Sequence, residues 1–352
     1  MFRSTRLAVL GAAALMIATA CGTAAPTAAP ASAGPQGGST APSPAATAAA
    51  SLAPSSATSA AASSAASPAA SVAVVASIPP DQLLFPGKLT ICSDLPYPPQ
   101  EYFDEAGNAI GSDIEIGQAI AARLGLQAEI VNSVFDTIIP ALTGGKCDVI
   151  ISAQNINDDR LTQVDMIPYF QAGQAFLVQK GNPANLQAQT DLCGKKVAVE
   201  AGTTMLDFLS GTSDFKGAGM PKICSDASLP PAQATPFPKD SDALAALQAG
   251  AADAYFADLP VVIGYAEAQP DAFEVAPVPQ IEPALEGISV AKSVDPATTA
   301  HSPIYEAVKT ALLAVIDDGT YQSILEKYGV EQGAITPDVV NTPQGSPAPA
   351  AS

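Results

Sequence analysis

The stretch ISAQNINDDR, Ile151 to Arg160, ends on a cation that its surroundings do not explain. An apolar run leads into it, and a helix is predicted to follow. Asn157 suits the N-cap, and Asp158 and Asp159 suit the positive end of that helix. Arg160 does not, and cations are scarce here: 15 Lys and Arg stand against 34 Asp and Glu. An Arg placed where a buried strand hands over to a helix has a natural partner in a carboxylate, which its planar fork grips with two hydrogen bonds. Backbone N–H groups at the helix start would serve the same anion. The plain alternative is a surface ion pair with Asp158 or Asp159. Little else offers catalytic chemistry. His301, the single histidine, sits in TTAHSPIYEAV with no nucleophile pattern beside it and is expected at the surface. HExxH, Walker A and GxSxG motifs are absent. Cys92, Cys147, Cys193 and Cys224 lack CxxC spacing and His partners, so neither zinc nor any other cofactor is expected.

The elements that must position Arg160 follow from the pattern. KLTICSD (88–94) reads as a strand that stops at Asp94, and EAGNAIGSD as a hairpin-like turn. Asp113 opens a helix whose face carries Ile116, Ala119, Ile120 and Leu124, and Gly125 ends it. QAEIVNS is a second strand, FDTIIPALTGGK a short helix, and CDVIIS a third strand. That third strand is apolar in its middle, as in a parallel sheet covered on both faces. KKVAVEAGTT (195–204) then runs from strand into a Gly-Thr-Thr loop before the helix MLDFLS. DALAALQAGAADAYFADLPVVIGYA reads as helix, turn, strand, helix. Strands alternating with helices predict α/β architecture with mainly parallel sheets. LQAGAADAYFAD echoes LTGGKCDVIISA, which predicts two similar lobes.

Composition divides the chain of 352 residues into unlike parts. MFRSTR carries Arg3 and Arg6, and LAVLGAAALMIATA follows as an apolar run too short for a membrane span. Cys21 comes next. Residues 22–79, rich in Ala, Ser, Thr and Pro, cannot bury enough apolar surface to offset chain entropy and are expected to form a disordered tether. A similar tail is expected from 336 to 352. The folded body is thus expected near 80–335, enough for two lobes with their own cores. A formal net charge of −19 excludes nucleic acid as a partner. Four cysteines in an exported body favour disulfides, with three pairings open.

Several segments together resemble a known family. They are SDLPYPPQEYFDEAGNAIGSDIEIGQAIAARLGL, FDTIIPALTGGKCDVIISAQNINDDR, VDMIPYFQAGQAFLVQKG, DLCGKKVAVEAGTT, DALAALQAGAADAYFADLP and VKTALLAVIDDGTYQSILEKYGV. In order and spacing, over about 88–330, they resemble the extracytoplasmic substrate-binding proteins of ABC importers for polar amino acids. The N-terminus likewise resembles a bacterial lipoprotein signal peptide (1–21), with Cys21 as the lipidation site. The resemblance implies the two-lobed type 2 periplasmic-binding-protein fold, its lobes joined by two hinge strands. Lobe 1 is expected at 80–180 and 285–335, and lobe 2 at 181–284. Crossings are expected near Gln179–Lys180 and Pro279–Gly287. It also implies intra-lobe disulfides Cys92–Cys147 and Cys193–Cys224. The implied partners are a free amino acid, a membrane permease and, through a lipid anchor, the membrane. The protein is expected to act as a monomer.

The same resemblance assigns roles. Arg160 matches the family's carboxylate-binding Arg. Asp258, in AYFADLP, matches the ammonium-binding Asp, with a helix N-cap as its plain rival. Ala153 and Asn155 stand where the family offers a backbone carbonyl and N–H. Thr203 and Thr204 match a lobe 2 loop that reaches the ligand carboxylate, and could equally cap a helix. Tyr97 and Phe135 match the aromatics that sandwich the ligand side chain. Asp94 ends the first strand at the pocket, Glu200 faces the ligand side chain in relatives, and Glu101 is near. With no Lys or Arg other than Arg160 expected there, an acidic pocket implies a cationic amino acid. Glutamine is the alternative ligand. A fold-related cyclic-acid dehydratase, with Glu200 as base, is the alternative function. A sensor ectodomain would need a transmembrane helix after residue 335, which the sequence does not show.

Overall fold

The computed structural model describes residues 72–212, 219–293 and 301–342. The targeting segment with Cys21 and the tether up to residue 71 lie outside the described residues. Strand β1 (Lys88–Ser93) is followed by the small hairpin β2 (Tyr102–Phe103) and β3 (Ala109–Ile110). Its turn is held by Asp104, whose Oδ1 accepts the N–H groups of Ala106 and Asn108. Helix α1 (Ser112–Arg123) buries Ile116 and Ile120 and stops before Gly125, as its pattern predicts. Then come β4 (Gln127–Asn132), α2 (Ile138–Thr143), β5 (Val149–Ile150) and α3 (Asp158–Gln163). Strands β4 and β5 both pair with β1 in parallel.

Strand β6 (Val164–Gln179) is 16 residues long. It leads into β7 (Lys196–Glu200), α4 (Thr204–Ser210), α5 (Met220–Asp226), β8 (Gln233–Phe237) and α6 (Asp240–Gln248). Strand β9 (Ala254–Asp258), α7 (Leu259–Ala268) and β10 (Phe273–Val275) complete the second half. The chain returns along β11 (Ile281–Ala291) and ends with α8 (Pro303–Asp317), α9 (Thr320–Tyr328) and α10 (Pro337–Asn341). The strands form one curled mixed sheet ordered β4-β1-β5-β11-β6-β9-β7-β8, with β10 beside β6. The two outer parts are parallel, and β6 and β11 are the antiparallel hinge strands shared by both lobes.

Three boundaries differ from those expected. The crossing into lobe 2 comes inside β6, ahead of Gln179: Ala172 pairs with Ala284 of β11, and Gln174, still paired with Ile281 of β11, is already paired with Asp258 of β9. Between them Gly173 lets β11 approach, since a Cβ there would lie 2.6 Å from Gln280 Oε1 and 3.3 Å from the Ile281 carbonyl. The body also begins before residue 80. Val75 N–H bonds to the Arg123 carbonyl, and Ile78 enters the lobe 1 core, while Val72, Val74 and Val75 stay exposed, so one backbone bond and one buried side chain hold the segment. The tail from 336 begins as α10, whose Val340 is buried against the same core.

Lobe 1 packs α1 and α8 over β1 and β5, with Leu89, Ile91, Ile116, Val149, Val308 and Leu312 fully buried. Lobe 2 has Phe176, Val199, Phe208 and Phe256 at its centre, with the Phe176 and Phe256 rings stacked at 4.1 Å. Cys92 bonds to Cys147 and Cys193 to Cys224, the expected intra-lobe pairs. The first ties β1 to the turn two residues before β5, and so stiffens the strand end that leads to Asp94. No helix among the described residues is long and apolar enough to cross a membrane.

Candidate ligand-binding site

A narrow cleft runs between the lobes. Asp94, Tyr97, Phe135, Ala153, Asn155, Arg160, Glu200, Thr203, Thr204 and Asp258 all line it, together with Glu101, Ser152 and Met205. The ten residues singled out in sequence therefore converge. Strand C-termini deliver most of them: Asp94 follows β1, Ala153 and Asn155 follow β5, Glu200 ends β7, and Asp258 ends β9. In parallel α/β sheets these ends are where ligands gather.

Arg160 is placed by the N-cap of α3, where Asn157 Oδ1 accepts the Arg160 N–H at 2.8 Å. Its side chain turns back into the cleft. Nη1 donates to the Asn155 carbonyl at 2.6 Å, and Nη2 to the Gly202 carbonyl at 3.0 Å in the opposite lobe. Among the described residues no carboxylate lies within ion-pair distance of it, so the surface pairing with Asp158 or Asp159 does not form. The guanidinium sits 5.3 Å from the centroid of Phe135, within cation–π range. Burial lowers its pKa to about 10, against the pull of Asp207 and Asp258. Asn155 Oδ1 accepts from Thr204 Oγ1 at 2.6 Å and from Gln174 Nε2 at 3.1 Å, while Asn155 Nδ2 is buried without a partner.

Asp258 stands at the N-cap position of α7, yet its side chain caps nothing there. Instead Oδ2 accepts the Tyr97 hydroxyl at 2.9 Å, across the cleft, and Oδ1 is buried with no partner. Burial raises its pKa to about 7; the Tyr97 hydrogen bond and Arg160 hold it from rising further. Thr203 does cap a helix: its Oγ1 accepts the Leu206 N–H at 3.2 Å and donates to the Glu200 carbonyl at 2.8 Å. Ala153 has a positive φ of 44°, and its N–H is committed to Asp113 Oδ2 at 2.9 Å. That strained turn is fixed from below by Asp113, which also accepts the Tyr169 hydroxyl.

The far end of the cleft is acidic. Glu200 is buried and hydrogen-bonded to Asp94, and its Oε1 has no partner. Burial first, then Asp94 and Asp240, push its pKa up to about 10. Asp94 Oδ2 accepts the Phe135 N–H at 3.0 Å, and Oδ1 pairs with Lys239. Arg160 is the one cation lining the cleft among the described residues, and Lys239 stands at the mouth of that cleft. Lys239 is the N-cap residue of α6 in lobe 2, two residues after β8, and it reaches lobe 1. A basic residue after the strand TPF and before the acidic run DSD was the signal for it. Asp240 beside it is also buried, bonded to the hydroxyls of Tyr255 and Tyr265, with its pKa raised by burial to about 7. His301 lies away from the cleft, half exposed, 3.0 Å from Asp165.

Residues 89–331 match the bacterial extracellular solute-binding proteins, family 3. The chain belongs to that family. It is 27% identical to the arginine-binding protein ArgT of Corynebacterium glutamicum, over 77% of this chain and 83% of that protein. It is 26% identical to ABC transporter arginine-binding protein 1 of Escherichia coli K12, over 66% and 86%. Among solved structures, an ancestral arginine-binding protein bound to arginine is 34% identical, with a TM-score of 0.59, covering 69% of this chain and 98% of that one. This family 3 solute-binding protein thus has the two-lobed fold its motifs predict.

Proposed function

We propose that this solute-binding protein captures a free amino acid with a cationic side chain by closing its lobes, and delivers it to an ABC permease. One observation carries the reading. Within a single buried cleft stand a guanidinium with no carboxylate partner among the described residues and a carboxylate oxygen, Asp258 Oδ1, with no donor among them. Those two unmet charges complement the two ends of a zwitterion. Asn155 Nδ2 adds an unmet donor for the ligand carboxylate. Since Arg160 belongs to lobe 1 and Asp258 to lobe 2, one ligand engages both only when the cleft is shut, so binding energy favours closure. Tyr97 and Phe135 flank the ligand side chain, and Glu200 meets its charge. The reading places the protein outside the cytoplasm as a monomer, anchored through a lipid on Cys21.

A thermal-shift panel of free amino acids on the full chain tests this. Stabilisation grows with ligand over Kd, to about 2.7 kcal/mol at 100 Kd. A shift with arginine, lysine or ornithine, lost in Arg160→Ala and Asp258→Asn, is expected. A shift with glutamine alone would keep the amino-acid site and discard the role of Glu200. No shift with any amino acid would sink the assignment. Ligand recovered unchanged after incubation supports a binder, whereas conversion of a cyclic acid would make the chain a dehydratase.

A further inference from the structure

Lys239 is carried by lobe 2, yet every acceptor its ammonium meets belongs to lobe 1. The Asp94 carboxylate takes one bond; the carbonyls of Ser133 and Leu95 lie at 3.0 and 3.4 Å, and Asn132 Oδ1 at 3.5 Å. Four oxygens from the loops after β1 and β4, one of them on a carboxylate, make a complete seat for a group with three donors. The lysine backbone is fixed on the far side: Phe237, two residues earlier, pairs in register with Glu200. The side chain is about a quarter exposed, so the pair sits at the mouth of the cleft, not in its floor.

Its effect on Asp94 is the consequence for recognition. With Phe135 N–H on Oδ2 and Lys239 on Oδ1, both Asp94 oxygens are committed within the protein. Glu200, three positions before Thr203, keeps Oε1 without a partner. We propose that Lys239 is a specificity-determining residue: a built-in cation that seats across the closed cleft, neutralises Asp94, and leaves Glu200 as the carboxylate that reads the ligand's side chain. The pocket then offers one unmet carboxyl group at its distal end instead of two. It holds one positive charge well and tolerates a neutral amide opposite a protonated Glu200. The proposal rests on the amino-acid reading above and refines it.

Two measurements on the full chain test it. The first needs no ligand: amine acetylation followed by mass spectrometry. Lys239 is expected to react at least tenfold more slowly than Lys222, whose side chain is 64% exposed, and Asp94→Asn should remove the protection. Equal rates for the two lysines would overturn the seat. The second is calorimetric affinity for arginine and for glutamine. In Lys239→Met the ratio favouring arginine is expected to rise tenfold or more, because Asp94 is freed toward the pocket. Adding Asp94→Asn should return it to the wild-type value. A ratio unmoved by Lys239→Met would overturn the specificity role even with the seat intact. If the wild type bound neither amino acid, the amino-acid reading would fall and the specificity role with it, while acetylation would still decide whether the seat exists.

Discussion

Arg160 spends its fork on two backbone carbonyls, one in each lobe, and still faces the cleft without a counter-ion. A lysine there would keep the charge but could not reach Asn155, Gly202 and a ligand carboxylate together. Arg160→Lys is therefore expected to weaken amino-acid binding by at least tenfold, about 1.4 kcal/mol. Unchanged affinity by calorimetry would reduce the residue to a point charge. Glu200 makes a different prediction. Burial and the neighbouring acids push its pKa up to about 10, so it is protonated at neutral pH. A guanidinium beside it favours the ionised form, so arginine binding should release a proton, and affinity should rise with pH from 7 toward 10. Calorimetry at pH 8 in buffers of different ionisation heat measures that proton, and Glu200→Gln should abolish it. Release unchanged in Glu200→Gln would assign the proton to another group, with Asp258 next in line. Of the residues at this scale, Arg160 was legible from its local misfit alone. Asp258, Tyr97 and Phe135 were legible only through family resemblance, because a carboxylate after a strand also reads as an N-cap and an aromatic as core. Lys239 escaped because its acceptors lie more than 100 positions away in sequence: a basic residue between TPF and DSD marks a candidate, but not the contact it makes across a cleft.

Loops at strand ends do the positioning, and one of them depends on a glycine. Gly202 adopts φ 78°, and a Cβ on it would lie 2.7 Å from Asp136 Cα in the opposing lobe. The same residue offers its carbonyl to Arg160. Gly202→Ala carries two costs: about 1–2 kcal/mol for the left-handed backbone, and a clash that exists only where the lobes meet. The first appears in the stability of the protein, the second in ligand affinity alone. The expected result is a small fall in Tm with a tenfold or larger rise in Kd. A Tm loss with affinity intact would mean that the loop yields and closure does not need this contact. The order of strands and helices could be read from period and punctuation, since β1, α1, α2 and α4 all stand within a few residues of their expected positions. The crossing was misplaced because β6 runs unbroken through both lobes: a continuous apolar strand carries no mark where its partner changes. The edges at 80 and 336 were misplaced because composition averages hide single anchoring side chains such as Ile78 and Val340, which pack on the lobe 1 core.

The molecule as a whole is strongly acidic, and it buries part of that acid. Asp240 is held at about 7 and Asp113 at about 6, burial being the first cause for both. Below about pH 4 native and unfolded chains both protonate these groups, and they contribute nothing. As pH rises from 4 to 7 the unfolded chain ionises them while the native chain resists, so stability is lost through that window and the loss is complete above it. For Asp240 it amounts to something on the order of 4 kcal/mol, or a Tm change near 10 °C for a domain of this size. The protein is accordingly expected to melt at higher temperature at pH 5 than at pH 8. Repulsion among surface carboxylates, from a net charge of −19, would give the same sign. Salt separates the two causes, because about 0.5 M screens exposed charges and leaves a buried carboxylate's desolvation in place. Melting curves at pH 5 and pH 8 in high salt should therefore keep most of the difference, and Asp240→Asn, which can still accept from a tyrosine hydroxyl, should shrink it. If high salt erased the difference, surface repulsion would be its source, and the buried aspartates would have to be compensated in the native state by groups other than the tyrosines.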